Sequence, residues 1–209
     1  MNMNYLLAIL AGYLLGSISF GVITSKLIHK DDIRHHGSGN AGMTNALRTY
    51  GGKTAVLVFV GDFFKGSLAV WLGGLLSGGD RIGCLLAALF VVIGHLFPIF
   101  FGFRGGKGVA TAAGAILVLS PTVLCILLVP FVLIIFTTRY MSLAAITVGV
   151  LFPIVTGIYR WFVPSVAGLY YWELGTALLI GGLVVFMHRA NIGRLLKGTE
   201  SKLGQKAKK

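Results

Sequence analysis

The order of apolar and polar residues divides the chain into six long apolar blocks separated by short polar segments. The blocks span residues 4–25, 54–76, 82–101, 109–136, 141–159 and 170–187. A helix of about 20 apolar residues crosses the roughly 30 Å hydrocarbon core of a bilayer, so these blocks predict membrane helices. Composition agrees, because 56% of the 209 residues are hydrophobic, 11% are charged and the mean hydropathy is +0.87. The pattern predicts an all-α integral membrane protein with a single domain over residues 1–209.

Positive charges set the expected orientation of the first helix. The first block has no cation before it, whereas Lys26, Lys30 and Arg34 follow it. Cytoplasmic loops carry an excess of Lys and Arg, so the N-terminus is expected outside and residues 26–53 in the cytoplasm. The same arrangement argues against a cleavable signal peptide.

The fourth block is expected to enter the membrane and return. A single crossing would place the basic tail outside, and Ser120-Pro121 is a natural turn, since proline breaks the helical ladder. Two short helices result, 109–119 and 122–136, and the 11 residues of the first rise only about 16 Å. Seven membrane helices and a cytoplasmic C-terminus follow. Of the 18 Lys and Arg residues, only Arg81 and Arg160 then lie outside, with Lys65 inside the membrane.

The remaining polar residues are concentrated in three stretches, 37–48, 105–111 and 188–194, all on the predicted cytoplasmic side. The net charge is +12, yet no basic helix or alternation of aromatic and basic residues appears, so nucleic acid is not an expected partner. Cys84 and Cys125 lie inside apolar runs and indicate neither a disulfide nor a metal site. Three cation-bearing stretches at a membrane surface favour an anionic ligand.

The first stretch combines glycines with hydrogen-bond donors. Gly37, Gly39 and Gly42 allow backbone N–H groups to approach an anion, although their spacing matches a dinucleotide fingerprint only by accident, because no strand precedes them. Side-chain donors are expected from Ser38, Asn40, Thr44, Asn45 and Arg48. An ordinary glycine-rich loop capped by polar residues is the alternative.

The second stretch places Gly105, Gly106, Lys107 and Gly108 at the start of a helix. It is not a Walker A loop, because Phe101 stands where a glycine is required. Free N–H donors and the positive end of a helix dipole nevertheless bind phosphate well, and Lys107 adds a cation. The alternative is a hinge with a charge that anchors the loop inside.

The predicted membrane helices contain ionisable residues, among them Asp62, Lys65 and His95. Asp62 and Lys65 are spaced to pair on one helix face, which favours a structural ion pair over direct substrate contact. His95 lies late in the third helix and either contacts substrate or bonds a neighbouring helix.

The third stretch sets His188, Asn191 and Arg194 along one face of a helix. His188 can serve as base, acid or cation, and Asn191 as a donor. Glu200 is expected to pair with a cation and hold the tail, since a carboxylate would repel a polyanionic substrate. Residues 203–209 are expected to be flexible, and the basic segment 206–209 to be attracted to anionic lipid.

These motifs, together with Gly94-His95-Leu96-Phe97-Pro98, resemble those of the bacterial acyl-phosphate:glycerol-3-phosphate acyltransferases, the PlsY family. The resemblance runs in order from about residue 10 to 202. It implies acyl transfer from acyl phosphate to the 1-hydroxyl of sn-glycerol 3-phosphate, giving lysophosphatidic acid and inorganic phosphate, the first acylation in bacterial phospholipid synthesis. It also implies seven helices in the bacterial inner membrane with cytoplasmic motifs, and a role for Ser142.

Site roles follow from the motifs and the resemblance together. Catalysis is assigned to Ser38, Lys107, His188 and Asn191. Substrate and phosphate binding is assigned to Asn40, Thr44, Asn45, Arg48, His95, Gly105, Gly106, Gly108, Ser142 and Arg194, with the loop at 105–108 expected to hold the glycerol phosphate. Structural support is assigned to Asp62, Lys65 and Glu200. No cofactor, metal or obligate protein partner is expected.

Acyl phosphate is already activated, so no acyl-enzyme is required and catalysis is expected from positioning and charge stabilisation. Either His188 or a phosphate oxygen of the substrate takes the hydroxyl proton, and the lack of a suitable carboxylate favours the substrate. Two other classes remain open. A transporter of a phosphate compound needs a polar path across the membrane, and a lipid-binding anchor leaves the glycine-rich stretches unexplained.

Overall fold

A computed structural model describes residues 2–164 and 168–205, and these residues form helices and loops with no strand among them. The basic segment 206–209, which is predicted to contact anionic lipid, lies outside the described residues. These four residues belong to the segment 203–209, which is expected to be flexible. At the start of that segment, the Leu203 N–H donates to the Arg139 carbonyl at 2.7 Å, and the Leu203 carbonyl accepts from Arg139 Nη2 at 3.0 Å.

Ten α-helices follow one another in the described part of the chain. They are α1 (Met3–Gly16), α2 (Phe20–His29), α3 (Met43–Tyr50), α4 (Gly52–Leu76), α5 (Arg81–Leu96), α6 (Val109–Leu119), α7 (Pro121–Thr138), α8 (Met141–Phe162), α9 (Leu169–Met187) and α10 (Arg189–Leu196). Six apolar segments are long enough to span a bilayer, with α1 and α2 counted as one, and α6 is a shorter seventh. The predicted all-helical membrane fold is confirmed.

The first apolar block is broken, although the sequence pattern predicts one continuous helix. Helix α1 ends at Gly16 and α2 begins at Phe20, and the Ser19 carbonyl accepts the first hydrogen bond of α2, from the Ile23 N–H at 2.9 Å. Lys65 Nζ on α4 donates to the Ile18 carbonyl at 2.6 Å, and Ser17 Oγ accepts from the Ile99 N–H at 3.3 Å. Lys65 of α4 therefore satisfies the Ile18 carbonyl at the break inside the membrane.

The fourth block turns at Ser120, as predicted, but its second arm is longer than expected. Helix α7 starts at Pro121 and contains 18 residues, a rise of about 27 Å. Proline suits the first turn of a helix because its missing N–H has no partner there in any case, and Pro130 does not end α7. Helix α6 keeps its 11 residues, and Arg81 Nη2 donates to the Leu119 carbonyl at its end at 2.5 Å.

Helix α6 packs closely against α4 on one side and leaves a gap on the side of α7. Gly66 on α4 and Gly114 on α6 each face backbone of the other helix so closely that a Cβ would overlap a carbonyl oxygen. Small residues allow such an approach in membranes. Helix α6 packs far less against α7, which packs on α8, while α8 packs on α9 and α9 on α5. A cavity lies between the α4–α6 pair and the α7–α8–α9 group.

The three polar stretches meet at one end of the bundle, here called the motif end. Arg48 Nη2 donates to the Ser201 carbonyl at 3.1 Å, and Lys107 Nζ donates to Asn191 Oδ1. At the opposite end, Glu173 pairs with Arg81 at 3.2 Å and with Arg160 at 2.5 Å. The hydrogen bonds of Arg48 and Lys107 at the motif end bring segments that are remote in sequence together around the mouth of the cavity.

Candidate active site

The cavity at the motif end has a volume of about 440 Å³ and joins a polar mouth to an apolar interior. Thirteen of the residues assigned by sequence line it: Ser38, Asn40, Thr44, Asn45, Arg48, Asp62, His95, Lys107, Gly108, Ser142, His188, Asn191 and Glu200. Gly105, Gly106, Arg194 and Lys65 lie outside its lining. The structure thus gathers residues from all three stretches and from α4, α5 and α8.

Glu200 is the centre of the hydrogen-bond network at the mouth. Its Oε1 accepts from Asn191 Nδ2 at 2.7 Å and from Ser142 Oγ at 2.9 Å, and its Oε2 accepts from Arg194 Nε at 2.6 Å. Asn191 in turn accepts from Lys107 Nζ. The carboxylate lines the cavity, yet its oxygens are occupied by donors that fix the positions of Asn191 and Ser142. The cation with which Glu200 pairs is Arg194, and its supporting role stays a prediction.

Lys107 and Arg48 supply positive charge at the cavity wall. Burial lowers the pKa of Lys107 to about 8, an effect that Glu200 opposes and that Arg194 and Arg48 reinforce. Burial likewise lowers the pKa of Arg48, whose Nε has no hydrogen-bond partner among the described residues. Three cations therefore surround one carboxylate, and the site carries a net positive charge that suits an anion.

His188 is neutral in this environment. Burial, followed by the Lys107 charge, lowers its pKa to about 4. Its Nδ1 lies 2.7 Å from the Val184 carbonyl, which accepts and therefore places the proton on Nδ1. Nε2 then carries a lone pair. The side chain is suited to accept a hydrogen bond and is a weak base.

In the first stretch, Asn45 organises the loop. Its Nδ2 donates to the carbonyls of His36 and Asn40 at 2.9 and 3.0 Å, and its Oδ1 accepts from the Ser38 N–H at 3.0 Å. Gly37 adopts a positive φ of 58°, and a Cβ there would overlap Asn45 Oδ1. The Asn45 amide therefore holds Ser38 and Asn40 at the cavity wall and has little capacity left for a substrate.

In the second stretch, the glycine N–H groups differ from the prediction. The N–H groups of Gly105 and Gly106 donate to the carbonyls of Leu96 and His95 at 3.2 and 3.1 Å, so they are not free for phosphate. The loop folds back to satisfy the carbonyls at the end of α5. Val109 and Ala110 begin α6, line the cavity, and have N–H groups without acceptors in the described chain. The positive end of α6 therefore faces the cavity beside Lys107.

The intramembrane residues form a connected group. Lys65 Nζ lies 2.7 Å from Asp62 Oδ1, which confirms the predicted pair, and Asp62 Oδ1 lies 3.5 Å from His95 Nδ1. Asp62 was predicted only to support the site, yet it also forms part of the cavity wall. The helix break at Ile18, the ion pair and the cavity are thus linked through three side chains.

Sequence reasoning missed the apolar part of the site. Side chains including Phe63, Ile116, Leu127, Phe131 and Phe152 line the interior of the cavity. Nothing in their residue types separates them from apolar residues that face lipid or core. Only the gap between α6 and α7 identifies them.

Comparisons with known proteins agree with this geometry. The family profile described as Glycerol-3-phosphate acyltransferase matches residues 6–198. A Syntrophomonas wolfei protein named glycerol-3-phosphate acyltransferase is 44% identical over 195 residues, which cover 93% of this chain and 95% of that protein. A Finegoldia magna protein of the same name is 42% identical over 206 residues, which cover 97% and 100%.

Solved structures give the same answer. The chain is similar to the crystal structure of PlsY (YgiH), an integral membrane glycerol 3-phosphate acyltransferase, in its glycerol 3-phosphate form, with a TM-score of 0.84, 39% identity and 96% of each chain covered. The lysophosphatidic acid form of PlsY gives a TM-score of 0.81 at 38% identity, with 96% of this chain and 95% of that chain covered. Because the family profile and these relatives extend over nearly its whole length, this chain belongs to the glycerol-3-phosphate acyltransferase family of integral membrane proteins.

Proposed function

We propose that this acyltransferase moves an acyl group from acyl phosphate to the 1-hydroxyl of sn-glycerol 3-phosphate. The products are lysophosphatidic acid and inorganic phosphate. The observation that carries the proposal is a cavity that joins a cationic mouth to an apolar interior. The forms in which the PlsY relative was crystallised, with glycerol 3-phosphate and with lysophosphatidic acid, support the acceptor and the product.

The apolar interior supports a fatty acyl chain as one ligand. Leu127 and Phe152 are buried, whereas Phe59 and Leu128, at 40% and 43% exposed, line the same cavity on the side of α4 and α7. Exposed apolar side chains at membrane depth contact lipid, so the cavity is open towards the bilayer. A donor with a long acyl chain can enter from the lipid without its chain crossing water.

The groups at the mouth of the cavity are suited to bind the phosphate of each substrate. Lys107, Arg48 and the first turn of α6 provide cations and N–H donors around the same space. These groups also suit the negative charge that develops on the carbonyl oxygen and on the departing phosphate. Two phosphates need more positive charge than one, which accounts for the excess of cations over Glu200.

The reaction requires one bond to form and one to break. The C1 hydroxyl oxygen attacks the acyl carbonyl carbon, the acyl C–O bond to phosphate breaks, and phosphate leaves with the bonding electron pair. A phosphate oxygen of the acyl phosphate takes the hydroxyl proton. The second ionisation of a phosphorylated side chain has a pKa of about 6, so a phosphate is a stronger base than His188 with its pKa of about 4.

The proposed location is the inner membrane of a bacterial cell, with the motif end facing the cytoplasm. The support is the distribution of Lys and Arg, which are frequent at the motif end, in the loops before and after the site. This position gives a water-soluble glycerol 3-phosphate access to the mouth while the acyl phosphate arrives through the bilayer.

The direct test is phosphate release from palmitoyl phosphate by the purified protein in a lipid mesophase, with and without sn-glycerol 3-phosphate. Release that depends on the acceptor, with lysophosphatidic acid identified by mass spectrometry, supports the proposal. Formation of lysophosphatidic acid from palmitoyl-CoA, with release of free CoA, but not from palmitoyl phosphate would overturn the donor. The matched control is Lys107→Met, which keeps the side-chain length and removes the charge, and should abolish release without altering the elution profile.

A second experiment separates the proposal from transport. The protein is reconstituted in sealed vesicles without acyl phosphate, and uptake of labelled glycerol 3-phosphate is followed. No uptake above empty vesicles is expected, because the described cavity opens at the motif end and towards lipid. Uptake that is lost in Lys107→Met would favour a transporter.

A further inference from the structure

A second cavity, here called the outer cavity, adjoins the 440 Å³ main cavity at the motif end. It has a volume of about 430 Å³ and is lined by Leu47, Arg48, Arg139, Leu203, Gly204 and Gln205. Arg48 lines the main cavity as well, so its side chain borders both spaces. Among the described residues, the lining of the outer cavity includes two arginines and no Asp or Glu.

Arg139 follows α7 and brings its guanidinium to the wall of the outer cavity. Its Nη2 donates to the Leu203 carbonyl at 3.0 Å, and a Cβ on Gly204 would come within 3.3 Å of the same nitrogen. Because Leu203 and Gly204 both line the cavity, the guanidinium lies against it. The side chain uses one of its five N–H donors in this bond and forms no ion pair within residues 2–164 and 168–205.

Arg48 provides the second guanidinium. Its Nη2 donates to the Ser201 carbonyl at 3.1 Å, and its Nε is buried without a hydrogen-bond partner in the described part of the chain. Glu200 is the carboxylate whose charge acts on Arg48, but it pairs with Arg194 at 2.6 Å. A buried N–H without a protein acceptor is normally satisfied by a ligand or by water.

Two guanidinium groups beside one space match the chemistry of a phosphate monoester. Planar guanidinium forks bind phosphate oxygens in pairs, and a phosphate monoester carries a charge of about −1.5 to −2 at pH 7, which balances two arginines. A neutral ligand would leave both positive charges without a counterion, and a cation would be repelled.

We propose that the outer cavity binds a phosphate monoester between Arg48 and Arg139, as a second phosphate site next to the main cavity. A phosphate held there is separated by the Arg48 side chain from the place where phosphate is proposed to bind beside Lys107. The inference rests on the proposed function for its two ligands, because glycerol 3-phosphate from water and lysophosphatidic acid from the bilayer present the same phosphate monoester.

The test reads Arg139 directly through its reaction with phenylglyoxal, which modifies accessible guanidinium groups. Full-length protein in detergent, without acyl phosphate, is titrated with sn-glycerol 3-phosphate or with short-chain lysophosphatidic acid, and modification at Arg139 is measured by peptide mass spectrometry. Protection is expected in the wild type and in Lys107→Met, which removes a charge from the main cavity only. Protection by neither ligand, or protection that is lost in Lys107→Met, would overturn the inference.

The two titrations also distinguish the sources of the phosphate. Protection at a lower concentration of glycerol 3-phosphate supports a site for the free acceptor, whereas protection at a lower concentration of lysophosphatidic acid supports a site for a lipid-borne headgroup. Glycerol and a monoacylglycerol, which lack the phosphate, should not protect. Equal protection by these two compounds would show that phosphate is not recognised and would count against the proposal.

A second variant tests the charge of the outer cavity without changing either arginine. Gln205 Oε1 accepts from the Lys202 N–H at 2.8 Å, and Gln205→Glu keeps an acceptor there while it adds a negative charge to the lining. The ligand concentration for half protection should rise by about tenfold or more, because the carboxylate competes with phosphate for charge-assisted hydrogen bonds. An unchanged concentration would contradict the proposed site.

Arg189 is the internal control for the chemistry. It is exposed, donates to one backbone carbonyl at 3.2 Å as Arg139 does, and belongs to neither lining, so its modification should not depend on either ligand. Failure of the proposed function has a different signature from failure of this inference. The first appears as no acceptor-dependent phosphate release from palmitoyl phosphate by the wild type, whereas the second leaves that release intact and Arg139 unprotected.

Discussion

The Ser142 hydroxyl donates a 2.9 Å hydrogen bond to Glu200 Oε1 and so joins the start of α8 to the segment that follows α10. The same carboxylate accepts from Asn191 and Arg194. Lys107 reaches Asn191, so the charge of the second stretch is held by a residue of the third, which Glu200 positions. The carboxylate thus orders the cationic mouth without facing the substrate with free lone pairs.

The main effect of removing the Glu200 carboxylate should be a lower free energy of unfolding, and not the loss of a contact with substrate. Glu200→Ala leaves the Asn191 amide and the Ser142 hydroxyl without an acceptor, at a cost of about 1–3 kcal/mol for a buried unsatisfied group. Glu200→Gln keeps one acceptor and should cost less. Thermal unfolding in detergent measures the difference. Lys197→Ala, at an exposed position of the same segment, is the control, and equal melting temperatures for Glu200→Ala and this control would contradict the prediction.

Lys107 should give kcat/KM a basic limb. Its pKa is lowered to about 8, so the charged form is present below that pH and is lost as the pH rises through it. Because the proposed binding of phosphate by Lys107 needs the charge, kcat/KM for glycerol 3-phosphate should fall above pH 8, where the substrate phosphate itself no longer titrates. Lys107→Arg keeps its charge at these pH values and should shift the limb upward. A limb that stays near pH 8 in this variant would assign it to another group.

His188 should contribute no acidic limb near its ordinary pKa. With a pKa lowered to about 4, the imidazole stays neutral above that pH, so its protonation does not change between pH 5 and 7. An acidic limb in this range should belong to the substrate phosphates, which have a second pKa of about 6. His188→Gln should therefore retain it while lowering kcat/KM. Loss of the limb in His188→Gln would show that the imidazole titrates there and would revive it as the base.

The membrane architecture could be predicted from sequence because hydropathy and charge act over long segments. The return of the fourth block at Ser120-Pro121 followed from proline chemistry and the basic tail, and the helices α6 and α7 confirm it. The break at Ser17–Ser19 could not be predicted, because the flanking residues are apolar and the donor that stabilises it is Lys65, far away in sequence.

The polar half of the site was predictable and the details of its hydrogen bonding were not. Glycine, amide and cation positions marked the residues around the mouth, including Lys107 and Asn191. The sequence could not show that the N–H groups of Gly105 and Gly106 donate to carbonyls at the end of α5. Nor could it show that the Asn45 amide forms its hydrogen bonds within its own loop. These hydrogen bonds depend on which carbonyl groups the fold brings close to each donor, and the spacing of residues along the sequence does not determine that.

Gly106 should be intolerant of even a methyl group. A Cβ at this position would overlap the His95 imidazole at Nε2, so Gly106→Ala must displace either the ring or the loop that carries Lys107. Lys107 is proposed to bind phosphate in the site, and a misplacement of about 1 Å can cost roughly 100-fold in rate, so kcat/KM should fall by at least tenfold. Gly193→Ala, in the third stretch with open space around it, is the matched control and should keep its activity. Similar activities for the two variants would show that the contact with His95 is not required.

The Asp62–Lys65 pair should stabilise the break in the first membrane segment as a unit. Lys65→Met leaves a buried Asp62 carboxylate without its cation and the Ile18 carbonyl without its donor, and loss of one partner of a buried pair costs about 3–5 kcal/mol. The double variant Asp62→Asn/Lys65→Met removes both charges, so it should unfold at a higher temperature than Lys65→Met alone. Lys53→Met, at an exposed position on α4, is the control for loss of a lysine. Thermal unfolding in detergent distinguishes the cases, and a double variant less stable than Lys65→Met would show that the two charges do not act as a pair.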